Sequence, residues 1–287
     1  MTERSEIVPR AGALVLVATP IGNMGDLSPR AVEALRTADA ICCEDSRRTG
    51  RLLEHAGVVR SSPFLVVNDH TEATCIAQVL ERLGRGERVA VVTDAGTPGI
   101  SDPGERLAHA ASESGFVVEV VPGPSAAIAA LVASGLPTGR FVFEGFLPRK
   151  GGARSQRLAD LALEQRTLVF YEAPHRMERT LADLASAFGG DRRVAIAREL
   201  TKLHEEVWRG SLDGAVEWVA AHPPRGEFVL VIDGAAPPSE ATDDALRAAI
   251  DDALQRGLSA RDAAAVVAAA LRVPKRRAYA MAVDVQR

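Results

Sequence analysis

Disulfide frameworks, zinc ribbons and membrane spans have little to build on in this chain. Only 3 of its 287 residues are cysteine. Cys42 and Cys43 are adjacent, Cys75 stands alone, and no C-x-x-C occurs, so paired metal ligands and a secreted scaffold are not indicated and a reduced cytosol fits. No apolar run approaches the ~20 residues that cross a bilayer. Glu3, Arg4 and Glu6 precede only the short segment Ala13 to Ala18, which is not a signal-peptide layout, and the expectation is a soluble, cytoplasmic protein. Aromatic residues make up 4% of the chain, too few for a surface of stacking platforms that grips single-stranded nucleic acid. A net charge of −4 supplies no global basic field, so contact with nucleic acid must come from local patches. Also missing are G-x-x-x-x-G-K-[ST], a G-x-G-x-x-G opening a helix, H-E-x-x-H and any Ser-His-Asp order, which leaves hydrolase chemistry without support.

The rest is ordinary for a globular protein: 47% of residues are apolar and 25% charged. The length suits one large domain or two ordinary ones. The first half alternates strand and helix signals. Strands are expected at Ala13 to Ala18, Ala40 to Cys43, Leu65 to Val67, Val89 to Val92 and Phe116 to Val121. Helices are expected from Pro29 (capped by Ser28) to Leu35, Thr49 to His55, Glu72 to Leu83 and Glu105 to Ser114. Such repeated units give a mostly parallel sheet covered on both faces. From Leu136 the pattern changes to strands at Phe141 to Phe146, Thr167 to Tyr171, Arg193 to Ala197 and Phe228 to Ile232, with a further candidate at Glu205 to Arg209. Helices at Gln156 to Leu163, Met177 to Phe188 and Leu212 to Val219 intervene, which suggests a second α/β domain with antiparallel pairing. The expected division is 1–124, 125–236 and, after the linker Ala235 to Ser239, a helical tail over 237–287. In that tail Ser259 and Asp262 form a capping box and Pro274 starts the last helix with Lys275, Arg276 and Arg277. A helix-turn-helix and a helical cap or dimerisation element fit the tail equally.

Chemistry is concentrated after the strands, where open α/β sheets bind ligands. Thr93-Asp-Ala-Gly-Thr-Pro-Gly-Ile-Ser-Asp-Pro-Gly104 is dense in glycine and hydrogen-bonding groups, and Pro122-Gly-Pro-Ser-Ala126 follows the next strand. The first loop is acidic through Asp94 and Asp102, which suits an amino group or a ribose better than a bare phosphate. Two such loops after consecutive strands weigh against ordinary punctuating turns. Thr19-Pro-Ile-Gly-Asn23 belongs to the same sheet edge, and Glu44 to Arg48 packs two carboxylates and two guanidiniums into what reads as one short loop. Tyr171 to Arg176 and Arg198 to Glu206 follow strands of the second half. For Glu205 and Glu206 a solvated loop is the better reading, and His55, His109 and His222 have no partner at ligand spacing.

Taken in order, A-T-P-I-G-N, C-E-D-S-R-R-T-G, T-D-A-G-T-P-G-I-S-D-P-G, V-P-G-P-S-A, F-E-G-F-L-P-R-K, F-Y-E-A-P-H-R, A-R-E-L-T-K and G-E-F-V-L-V-I resemble the bacterial ribosomal RNA 2′-O-methyltransferases of the tetrapyrrole methylase superfamily. The resemblance runs from Val15 to Asp233, with the tail matching an appended domain. It implies two α/β domains with S-adenosylmethionine in the cleft between them, a homodimer, and methyl transfer to the ribose 2′-hydroxyl of a cytidine in the decoding region of 16S ribosomal RNA within the 30S subunit. Cofactor contacts are implied at Pro20, Gly22, Asp94, Ala95, Gly96, Ser101, Asp102, Ser125 and Ala126, and at Tyr171, Glu172, Gly226 and Glu227. Lys202 or Glu172 is expected to be the catalytic base. Asp45 with Arg47, Arg48 and Arg51, then Arg149, Lys150, Arg154 and Arg157 in a loop that orders on binding, and Lys275, Arg276 and Arg277 are expected to hold RNA. Ser46 and Leu203-His204 depart from the family pattern, which bears on how substrate is held near His204. The rival readings are a tetrapyrrole or protein methyltransferase of the same fold and a non-catalytic ligand sensor that binds nucleic acid.

Overall fold

A computed structural model describes residues 12–59, 64–67, 71–237, 241–271 and 273–285. Glu3, Arg4, Glu6 and the linker's Pro238 and Ser239 lie outside the described residues. The chain divides into two compact units, Met1–Ala235 and Ala236–Arg287. No helix among the described residues is long and apolar enough to cross a membrane.

The first sheet has the order β3-β2-β4-β1-β5 and is parallel throughout, built from β1 (Ala13–Val17), β2 (Ala40–Cys43), β3 (Leu65–Val66), β4 (Arg88–Val91) and β5 (Val117–Val121). Side chains alternate across it. Val15, Ile41 and Ala90 face helices α1 (Pro29–Thr37) and α2 (Ser46–His55), while Leu14, Cys42 and Val89 face α3 (Glu72–Gly84) and α4 (Glu105–Glu113). Ser28 caps α1 as expected, its hydroxyl accepting the Ala31 N–H at 3.1 Å. Helix α2 starts three residues earlier than expected. The Asp45 carboxylate accepts the Arg47 N–H at 2.8 Å, so the run read as a charged loop is a capped helix start.

The second sheet has the order β6-β7-β10-β8-β9, from β6 (Phe141–Phe146), β7 (Thr167–Glu172), β8 (Arg193–Arg198), β9 (Glu206–Ser211) and β10 (Phe228–Ile232). Only the β6–β7 pair is parallel. Leu168, Phe170, Ile196 and Leu230 face α6 (Gly152–Leu161), α7 (Met177–Phe188) and α8 (Leu212–Ala221). The opposite face, with Val169, Ala195 and Val231, packs on α5 (Ala126–Ser134), a helix the sequence reading did not foresee. Its run Ala-Ala-Ile-Ala-Ala-Leu-Val-Ala-Ser is apolar on every side and so has no amphipathic period to detect. Ile21, from the loop after β1, joins that same cluster and ties the two sheets into one body. Helix α6 begins at Gly152, after Gly151 turns the chain with φ +77°, so Arg154 and Arg157, expected in a loop that orders on binding RNA, are already helical, while Arg149 and Lys150 precede the helix.

In the second unit α9 (Asp243–Gln255), α10 (Ala260–Ala270) and α11 (Lys275–Val285) share a core of Leu246, Ile250, Ala263, Val267, Ala278 and Ala282. The Ser259 hydroxyl caps α10 by accepting the Asp262 N–H at 3.2 Å.

Candidate functional site

The carboxyl ends of β1, β2, β4 and β5 open onto a cleft of about 400 Å3, closed from the other side by β7, β8 and the start of β10. The loops are cross-braced before any ligand arrives. Thr19 and Gly96 exchange two backbone hydrogen bonds at 2.8 and 3.1 Å, and Thr97 donates to the Pro124 carbonyl at 3.2 Å. Gly96 sits at φ +80°, a conformation suited to glycine. Ser101 (φ +61°), Glu199 (φ +49°) and Thr201 (φ +66°) adopt the left-handed region without that freedom. All three lie in the loops around the cleft, where such strain clusters at binding sites.

The lining is acidic. Glu44, Asp94, Asp102 and Glu227 reach it, with Arg48 the cation beside them, paired to Asp94 at 3.2 Å. Burial first, then the charges of Glu44, Asp94 and Glu227, push the Asp102 carboxyl up to about 6. Burial and Asp94 also raise Glu44. Tyr171 accepts the Ala127 N–H at 3.2 Å through its phenol oxygen and meets Phe143 and Phe146 edge-on at 5.0 and 5.7 Å. The register shift between Phe143 and Gly145 in β6 brings the exposed Phe146 ring to the cleft.

Of the expected cofactor contacts, Asp94, Ala95, Gly96, Ser101 and Asp102 line the cleft, as do Ser125 and Ala126. Tyr171, Glu172, Gly226 and Glu227 line it from the second sheet. Pro20 and Gly22 do not. Gly22 instead packs on the Thr201–Lys202 loop, where a Cβ would collide with Lys202 Cγ and Thr201 Oγ1. Ile21, Ile100, Phe146 and Leu200 line the cleft without having been anticipated; they are apolar, and only their positions beside strand ends hint at it.

The two expected bases are both engaged. The Glu172 side chain is fully buried, accepting from the Ala173 N–H (2.9 Å) and the Thr180 hydroxyl (2.6 Å) and pairing with Arg176 (3.0 Å). A carboxylate with its oxygens spent this way holds structure, so its assignment as the base is corrected. Lys202 pairs with Glu199 at 2.8 Å and Glu227 at 3.0 Å. Burial acts to lower its pKa, but the two carboxylates outweigh burial and hold the ammonium above its usual value. A lysine kept charged is a poor proton acceptor.

The expected RNA-contacting residues fall into different states. Asp45 and Arg47 pair at 3.1 Å on the surface at the start of α2. Arg149 and Lys150 are exposed, but Arg154 is buried, donating to Asp183 (2.7 Å), Thr180 (3.0 Å) and the Pro148 carbonyl (3.0 Å), and is corrected from a surface contact to an internal brace. Arg157 is held by Glu144 at 2.6 Å. In the second unit Lys275 and Arg276 are exposed at the start of α11, while Arg277 pairs with Asp243 at 2.8 Å.

Residues 13–216 match the family description Tetrapyrrole (Corrin/Porphyrin) Methylases. Curated relatives carry the name Ribosomal RNA small subunit methyltransferase I. One from Synechocystis sp. is 45% identical over 96% of this chain and 99% of its own length. One from Xylella fastidiosa is 53% identical over 78% and 82%, and one from Pseudomonas aeruginosa is 43% identical over 96% and 98%. Among solved structures, a diphthine synthase superposes with a TM-score of 0.60 at 15% identity, covering 78% of this chain and 90% of its own. A cobalt precorrin-4 methyltransferase gives 0.57 at 18% identity, covering 79% and 98%. At such identities the likeness is one of fold.

Proposed function

The chain belongs to the tetrapyrrole (corrin/porphyrin) methylase family, and from that membership we propose that it is an S-adenosylmethionine-dependent ribosomal RNA methyltransferase. Its product on this reading is the 2′-O-methyl ribose of a cytidine in the decoding region of 16S ribosomal RNA, made on the 30S subunit. The observation that carries the RNA assignment is identity of 43–45% along nearly the whole length of relatives named for that activity. The exposed apolar side chains Val117 and Val120 on the edge strand β5, with Ile128 and Val132 on α5, support a homodimer.

The cleft suits the cofactor. Four carboxylates besides the buried Glu172 stand at its wall, one of them raised to about 6, the environment that a ligand bearing an ammonium and a sulfonium would stabilise. Gly226, at φ +88°, leaves no room for a Cβ beside the Glu199 carboxylate, so bare backbone faces the cleft there. Asp94 would hold amino and ribose donors, Ser125 and Ala126 supply the first amides of α5, and Phe146 and Tyr171 supply aromatic surface. Bound there, S-adenosylmethionine supplies a methyl group already activated by its sulfonium.

The chain's own task is then to orient a ribose hydroxyl and accept its proton. With Glu172 consumed and Lys202 held charged, we assign that role to Asp102, a cleft-lining carboxyl that burial raises to about 6. Lys202 keeps Glu199 and Glu227 in place beside Gly226. An anionic porphyrin is disfavoured as acceptor by the same four carboxylates. Offering the protein labelled S-adenosylmethionine with unmethylated small subunits in one tube and a porphyrinogen in another tests the acceptor class. Label in the RNA alone is expected; label in the tetrapyrrole alone would overturn the assignment.

A further inference from the structure

A second hollow, of about 370 Å3, is lined by Arg149, Arg154, His175, Arg176, Arg179 and Thr180 and by no carboxylate. Four guanidiniums around one space are unexpected in a chain whose net charge is −4, since like charges repel unless an anion comes between them. The counter-charges lie behind the wall and are fewer than the cations. Asp183 takes Arg154 at 2.7 Å and Arg179 at 3.7 Å, and Glu172 takes Arg176 at 3.0 Å. Arg149 is exposed and has no ion pair among the described residues.

The hollow is also rigidly built. Arg154, 4% exposed at its side chain, bonds the Pro148 carbonyl and the Thr180 hydroxyl at 3.0 Å each, which fixes the backbone just ahead of Arg149. His175 and Arg176 sit on the single 3-10 turn Pro174–Arg176 that leads into α7. Position matters most. Glu172, Ala173 and Pro174 line the acidic cleft, and the next two residues, His175 and Arg176, line the basic hollow. Five consecutive residues therefore form the partition between a site for a cation and a site for an anion.

We propose that this hollow receives a backbone phosphate of the RNA substrate, next to the nucleotide presented to the cleft. The proposal rests on the methyl-transfer reading above and adds the subsite that holds the acceptor. Arg149 and Arg179, exposed at the rim, close on the phosphodiester oxygens; Arg176 and His175 complete the floor; Arg154 acts through Arg149 as a positioning residue. The arrangement also sorts the two substrates, because the acidic cleft repels the RNA backbone that the hollow attracts.

The test uses the full-length protein with Arg149→Gln and Arg179→Gln together, leaving the braced Arg154 and Arg176 in place. Affinity for small subunits is measured by filter binding across a range of KCl concentrations. The glutamine pair is expected to bind about tenfold more weakly at ~0.1 M salt and to lose about 0.7 from the slope of log affinity against log salt, the value for one lost phosphate contact. Cofactor affinity by calorimetry stays at the wild-type value. The pair Arg149→Lys and Arg179→Lys restores the slope, which separates lost charge from misfolding. An unchanged slope in a glutamine pair that still binds cofactor overturns the proposal. So does a glutamine pair that loses binding of millimolar inorganic phosphate but keeps its slope with subunits, because the hollow then serves a free anion. Wild-type protein that shows the expected slopes yet transfers no methyl group would sink the methyl-transfer reading and leave the phosphate subsite standing.

Discussion

Asp102 shows most directly how a single environment couples stability to chemistry. Its carboxyl is pushed up to about 6, whereas an unfolded aspartate titrates near ~3.9. Between those values the folded state binds more protons than the unfolded one. At acid pH the group is protonated in both states and neutral to stability, and as pH rises through the window its ionised form is disfavoured in the fold, a penalty fully developed above about 6. Asp102→Asn should accordingly raise the melting temperature at pH 8 and leave it almost unchanged at pH 4. Partial exposure reduces the gain to about 1 kcal/mol. As proton acceptor Asp102 also predicts that kcat/KM climbs through about pH 6; the asparagine variant should lose that limb and run roughly 10²- to 10⁴-fold slower. A pH profile unaltered by the substitution would remove Asp102 from the reaction. Glu172 predicts the opposite kind of result. Glu172→Ala leaves the half-buried Arg176 without its counter-charge and should cost about 3–5 kcal/mol in chemical denaturation. Glu172→Gln, which keeps the Thr180 contact, should cost less. That Glu172 lies at a strand end was legible in the sequence. That Thr180 and Arg176 consume it was not, because both contacts depend on the 3-10 turn between β7 and α7.

At the scale of elements, the strands were legible wherever apolar residues run unbroken, as in Phe228-Val-Leu-Val-Ile232, and so was the change from a parallel to a mixed sheet. Helix starts were less so. The hydrophobic period of α2 begins after its polar first turn, and α6 begins at a glycine; in both, the cap geometry rather than the period sets the boundary. The cleft's polar half was legible in the Gly-rich loops. Its apolar half was not, since Ile21, Ile100 and Leu200 look like any core residue until the two sheets are placed together. One connection is sharply testable. Gly226→Ala forces a side chain into φ +88° and against the Glu199 carboxylate that holds Lys202. The strain should cost about 1–2 kcal/mol and weaken cofactor binding, measured by calorimetry; a variant with wild-type stability and affinity would show that this backbone is not a wall of the site.

For the whole molecule, charge is segregated, and that segregation survives a net charge of only −4. The acidic cleft and the basic hollow sit on either side of residues 172–176, within the unit that ends at Ala235. Every residue lining the cleft precedes Ala235, and the helical unit carries its own core. A fragment ending at Ala235 should therefore bind S-adenosylmethionine as the full chain does, read by calorimetry, and a marked loss of affinity would contradict this division. The ordered motifs made the family legible from end to end, while the use of the tail stayed open between nucleic-acid contact and a structural cap. The central claim is the atom that receives the methyl group. Small subunits lacking the modification should be treated with the protein and labelled S-adenosylmethionine, and the 16S RNA digested and analysed by mass spectrometry. Label on the ribose 2′-oxygen of a decoding-region cytidine is the predicted result; label on a base, or none in the RNA while the cofactor still binds, would contradict it.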